Sequence, residues 1–111
     1  QLNLDLVFRV NKLTAFGTLT DEGFVLKKGS QLSKLNTESA ASRVITTKEQ
    51  LIKDGRIVPQ GDHLVLQEDF LLSSSSYAAV MVAGTSRSGP QSWLTPDGRT
   101  LKSIEDSMLG Q

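Results

Sequence analysis

Apolar side chains occupy every second position at the start of the chain. Leu2, Leu4, Leu6, Phe8 and Val10 alternate with Asn3, Asp5, Val7, Arg9 and Asn11, the period of a strand with one buried face. "LTAFGTLT" (13–20) repeats the alternation through Leu13, Ala15, Gly17 and Leu19, and Asp21-Glu22-Gly23 supplies turn chemistry before "FVLKK" (24–28). The pattern predicts a three-stranded antiparallel meander, with Arg9, Lys12, Lys27, Thr14 and Thr18 on a solvated outer face.

Residues 29–42 are small and polar and read as a connection. Thr46-Thr47-Lys48-Glu49 fits a capping box, so a helix is expected from there to about Asp54, closed by Gly55; if it starts a turn earlier, Val44, Ile45, Leu51 and Ile52 lie on one stripe. "RIVPQGDHLVLQ" (56–67) reads as two short strands around Pro59-Gln60-Gly61-Asp62, at a sheet edge. A helix followed by such a ribbon also ends a winged helix, but this ribbon is poor in charge and the opening strands have no place in that fold. Ser73 to Ser76 offer oxygens for the unpaired amides of a helix start, residues 77–83 carry no charge, and Gly84 is a natural stop. A short helix that is apolar all round belongs in the core. "SWL" then predicts a short strand around Trp93, Asp97-Gly98 a turn, and Thr100 the cap of a last helix with Leu101, Ile104, Met108 and Leu109 on one face. The expected fold is α+β: a meander, a hairpin and an edge strand, packed with about three short helices.

Composition narrows the function more than it defines it. The 111 residues, 38% of them hydrophobic, suit one domain with one core. With no cysteine and one histidine there are no disulfides, no thiolate zinc site and no cysteine nucleophile, and no metal or cofactor is expected. Twelve basic residues balance twelve acidic ones, so any nucleic-acid contact has to be a local patch. No apolar run reaches the roughly 20 residues of a membrane span and no signal peptide opens the chain, so a soluble, cytoplasmic protein is expected. A start at Gln1 rather than methionine suggests a domain cut from a longer protein or a processed chain. The acid-base candidates Asp62, His63, Glu68 and Asp69 are explained by hairpin-turn polarity, and no G-x-S-x-G elbow surrounds any serine, so no catalytic residue is assigned and the chain is read as a non-enzyme. Residues 84–104 hold Arg87, Arg99 and Lys102 against Asp97 alone, the best local anion patch.

"FVLKKGS" (24–30), "LIKDG" (51–55), "SSSSYAAVMVAGTSRSG" (73–89) and Trp93 followed by "PDGRTL" (96–101) occur in an order that resembles a domain of unknown function found C-terminal to GIY-YIG endonuclease domains. The chain is also similar to the RAMA module, the restriction enzyme and adenine methylase associated domain. Two positions depart from that likeness: Ser75 replaces the helix-start proline, and Ser88-Gly89-Pro90 stands where RAMA-like relatives carry asparagine-glycine-tryptophan. The resemblance implies a non-catalytic accessory domain of a nuclease or restriction-modification protein that recognises DNA or its modification. On that reading Arg87, Ser88, Gly89, Trp93, Arg99 and Lys102 contact phosphates or a base. The alternative is a protein-interaction or structural module that docks other domains of the parent chain and shows an exposed apolar patch or an open strand edge.

Overall fold

A computed structural model describes residues 3–10, 12–38 and 40–109. Its elements run β1 (Leu4–Val10), β2 (Leu13–Thr20), β3 (Gly23–Leu26), β4 (Gln31–Ser33), α1 (Ser42–Lys53), β5 (Ile57–Gln60), β6 (His63–Leu66), β7 (Phe70–Leu72), α2 (Ser75–Ala83), α3 (Gly89–Ser92) and α4 (Leu101–Leu109). The fold is α+β, as expected. Leu2, placed by alternation in the first strand, lies outside the described residues, as do the side chains of Met108 and Leu109.

The meander forms where the alternation placed it. β1 pairs β2 in the register Leu6↔Gly17 and Phe8↔Ala15, β2 pairs β3 at Gly17↔Leu26, and all the pairings are antiparallel. One face buries Leu6, Phe8, Ala15, Phe24 and Leu26. β7 adds a fourth strand beside β3 (Phe24↔Leu72), giving the order β1-β2-β3-β7. The outer edge of β1 is partly closed by Leu94, which exchanges two backbone hydrogen bonds with Val7 (2.7 and 2.8 Å).

The expected hairpin is present as β5 and β6, but it belongs to a second sheet of order β4-β6-β5. β4 lies in the stretch expected to be a plain connection and pairs with β6 at Leu32↔Leu64. Pro59 sits on edge strand β5, where its missing N–H costs no ladder bond.

α2 is the interior rod between these layers. Ser74 accepts the amide of Tyr77 (3.1 Å) at its start, Gly84 closes it at φ 75°, and Ala78, Ala79, Met81, Val82 and Ala83 are all buried. Substituting Ser74→Ala is expected to cost about 1 kcal/mol in chemical denaturation, because the first-turn amide loses its acceptor. Gly84 cannot be replaced so cheaply, since a Cβ there would stand 2.0 Å from the Leu35 carbonyl oxygen.

α1 corrects the expected capping box. The helix starts at Ser42, with Ala41 as an N-cap that supplies no side-chain bond, so Thr46 to Glu49 lie in its interior. Thr47 instead donates its hydroxyl back to the Arg43 carbonyl (2.9 Å) and meets the Tyr77 hydroxyl at 2.6 Å. Gly55 does follow the helix end in the left-handed region (φ 80°). Val44 and Leu51 face the core, whereas Ile52 is exposed. Thr100 caps α4 by accepting the amide of Ser103 (3.0 Å). No described helix is long and apolar enough to cross a membrane.

Candidate anion-binding cleft

The segment after α2 divides into a buried part and an exposed part. Gly89 donates its amide to the Ser76 hydroxyl (3.0 Å), and a Cβ on it would stand 2.2 Å from the Ser76 nitrogen. Only glycine lets the chain approach the start of α2 so closely. Pro90 then opens the short turn of α3, whose end is fixed by Ser92: its amide (3.1 Å) and its hydroxyl (2.6 Å) both donate to the Ser88 carbonyl. The expected strand around Trp93 is therefore reduced to a helical turn followed by single bridges of Leu94 to Val7 and Thr100.

That turn drives Trp93 inward. Its side chain is 0% exposed, with its ring centroid 5.5 Å from that of Phe8 and 4.5 Å from that of Phe24. The indole N–H donates to the Ser75 carbonyl at 3.0 Å. Gly17 makes room, since a Cβ on it would lie 2.3 Å from Phe24 and 3.3 Å from Trp93. Trp93 therefore takes the core packing that is the commoner role of a tryptophan in such a segment, which corrects the contact set expected from the resemblance: Trp93 and Gly89 are scaffold, and the indole offers no face to a base.

Arg87 and Ser88 do come together. With Ser86, Gln91 and Ser92 they line a shallow cleft of about 370 Å³ that holds no acidic side chain. The Arg87 guanidinium carbon lies 5.4 Å from the Phe8 ring centroid, and the side chain remains exposed. A cation resting on an aromatic face is held in position without its charge being neutralised. Arg99 and Lys102 are not part of this lining. Arg99 lies in the turn where its backbone pairs with Thr95, and Lys102 forms an ion pair with Asp106 at 3.3 Å. The six residues expected to act together are thus two in the cleft, two beneath it and two elsewhere. Ser86, Gln91 and Ser92, which complete the lining, were not singled out, because neither residue type stands out in a serine-rich stretch.

The acidic groups around His63 all have structural partners. Asp62 meets His63 at 3.2 Å in the β5–β6 turn, and this contact holds its carboxyl below the usual range. Glu68 pairs with Arg56 at 3.4 Å. Asp69 accepts the Lys28 amide (2.8 Å) and the Lys27 ammonium (3.1 Å), which together lower its pKa, the amide first.

One titratable group is wholly internal. Lys48 is 1% exposed, its ammonium donates to the Asn36 side-chain carbonyl at 3.1 Å, and burial lowers its pKa from 10.5 to about 8. Sequence reasoning placed it in a capping box and saw nothing else in it. The same region is tied to the end of α2, because Thr37 donates its amide to the Gly84 carbonyl at 2.7 Å.

A family model described as "Domain of unknown function (DUF4357)" matches residues 6–105, most of the chain. No curated protein and no solved structure matches it significantly.

Proposed function

We propose, for a chain that belongs to the DUF4357 family of domains of unknown function, the role of a non-catalytic accessory domain in a nuclease or restriction-modification protein, touching nucleic acid through its phosphates. The observation that carries this reading is the Arg87 guanidinium, seated on Phe8 at a cleft lined by Ser86, Ser88, Gln91 and Ser92 with no acid among them. Guanidinium forks and hydroxyl or amide groups are the usual partners of phosphate oxygens, and such contacts position a protein without reading sequence. With Trp93 and Gly89 internal, this loop has no platform on which a base could stack. The role is therefore backbone holding, with the reading of modified bases left to other parts of the parent protein. The resemblance to domains that follow GIY-YIG nucleases, and to RAMA, supports the same setting, in which the chain is the C-terminal part of a longer cytoplasmic protein.

A salt titration tests this reading. Binding to a short duplex should weaken as salt rises, Arg87→Gln should flatten the log–log slope by about 1, and modified and unmodified duplexes should bind alike. A slope untouched by Arg87→Gln, or a clear preference for a modified duplex, would overturn it. A second reading, a protein-interaction module, is favoured by one observation: the outer face of the four-stranded sheet exposes Phe16 and Leu71.

A further inference from the structure

The outer face of β1-β2-β3-β7 carries an apolar strip and a separation of charge along its strands. Alternation points Val7, Phe16, Val25 and Leu71 away from the core, and the register sets Val7 opposite Phe16 and Val25 opposite Leu71 in adjacent rows. Phe16 is 44% and Leu71 51% exposed. A cleft of about 470 Å³ runs beside Phe16, between Thr18, Lys28 and Pro96. Exposed Arg9 and Lys28 stand toward the β1–β2 end of this face, and exposed Asp21 and Glu22 form the β2–β3 turn at the other. Lys12 is not counted at the cationic end, because it interacts with Asp62 of the second sheet's turn, and Asp69, which pairs with Lys27 and lies near Lys28, offsets one of the three remaining cations there, so that Arg9, Lys27 and Lys28 leave a net of two positive charges.

We infer that this face is a two-fold interface between two copies of the chain. A two-fold axis lying across the strands lays one sheet on the other with strand directions reversed. The apolar strips then meet at the centre, and each cationic end covers the partner's acidic turn. One patch satisfies itself, as an isologous contact requires. Zero formal net charge leaves no long-range repulsion between copies to overcome. The footprint is small: strands of seven, eight, four and three residues cover about 350 Å² at the usual rise and spacing, or about 700 Å² for the pair. That is below the about 1,200 Å² of stable complexes, so a weak, reversible dimer is expected. This surface is separate from the Arg87 cleft, and the inference goes beyond the phosphate-binding role.

Sedimentation equilibrium over a wide concentration range tests it. The chain should show a monomer–dimer equilibrium, and Phe16→Glu should weaken association at least tenfold while leaving the circular dichroism spectrum unchanged. The double variants Arg9→Glu/Lys28→Glu and Asp21→Lys/Glu22→Lys should each self-associate less, yet form a heterodimer when mixed, because one then has two acidic ends and the other two basic ones. A chain monomeric at every concentration, a dimer indifferent to Phe16→Glu, or charge variants that fail to pair on mixing would overturn the inference. So would a monomer whose hold on a duplex or on another protein is lost with Phe16→Glu, since the face would then belong to that partner.

Discussion

Replacing Trp93 with alanine is expected to remove about 3–5 kcal/mol of stability, a large part of the about 5–15 kcal/mol available to a domain of this size. The ring is wholly buried between Phe8 and Phe24, in space that Gly17 leaves free, and the backbone there has no slack with which to refill it. The loss also leaves the Ser75 carbonyl at the start of α2 without its indole donor. Trp93→Phe should cost about 1–3 kcal/mol, because it keeps an aromatic ring but deletes the hydrogen bond and part of the volume. Urea denaturation followed by far-ultraviolet circular dichroism measures both. A Trp93→Ala variant within about 0.5 kcal/mol of the parent, the range of ordinary surface substitutions, would show the indole to be peripheral.

Lys48→Met is expected to stabilise the protein at neutral pH by about 1–3 kcal/mol. Among the described residues the enclosed ammonium has the neutral Asn36 carbonyl as its hydrogen-bond partner and no carboxylate in an ion pair, so burial is the cause that lowers its pKa. In the folded chain Lys48 gives up its proton near pH 8, while in the unfolded chain it keeps it to about 10.5. Between those values the unfolded state binds more protons, and stability therefore rises with pH. The full rise attributable to Lys48 is about 3 kcal/mol, at 1.36 kcal/mol per pH unit. Denaturation midpoints of the parent and of Lys48→Met from pH 7 to 10 should converge as the lysine neutralises. Parallel curves, or a variant that is less stable at pH 7, would mean that the ammonium is well solvated or well paired. The methylene stem of Lys48 packs much as methionine would, so the substitution isolates the charge.

What the chain shows as a string of letters and what it hides follow from sequence distance. β1 and β2 are long enough for their alternation to be visible, and the Ser74 cap and the Gly84 stop of α2 are local chemistry, legible within a dozen residues. β4 and β7 have three residues each and owe their existence to partners far along the chain, as in Leu32↔Leu64 and Phe24↔Leu72, so no periodicity could announce them. The capping box places the start of α1 a turn too late, because Ala41 provides no side-chain oxygen to mark the earlier start, while Thr47, which looks like part of a cap, serves Arg43 and Tyr77. At the site, the polarity of the stretch after Gly84 marked a surface, and Arg87 and Ser88 lie on it. The inward turn of Trp93 depends on Gly89 meeting the backbone of Ser75 and Ser76, a contact between residues more than a dozen positions apart. Pro90, a residue favoured in the first turn of a helix, was the one local sign that the chain coils before the tryptophan rather than running extended into it. The burial of Lys48 had no local sign at all, since Asn36 lies in an irregular segment outside the helix.

Trp93 is the chain's only tryptophan, and its fluorescence gives the most direct test that the loop after α2 holds phosphates over a closed core. The expected emission is blue-shifted, resists acrylamide quenching, and stays unchanged when a duplex is added at concentrations where binding is detected by an independent label. Emission typical of a solvated indole, or quenching on addition of nucleic acid, would place the ring at the surface and against a base, contradicting both the packing and the proposed mode of contact.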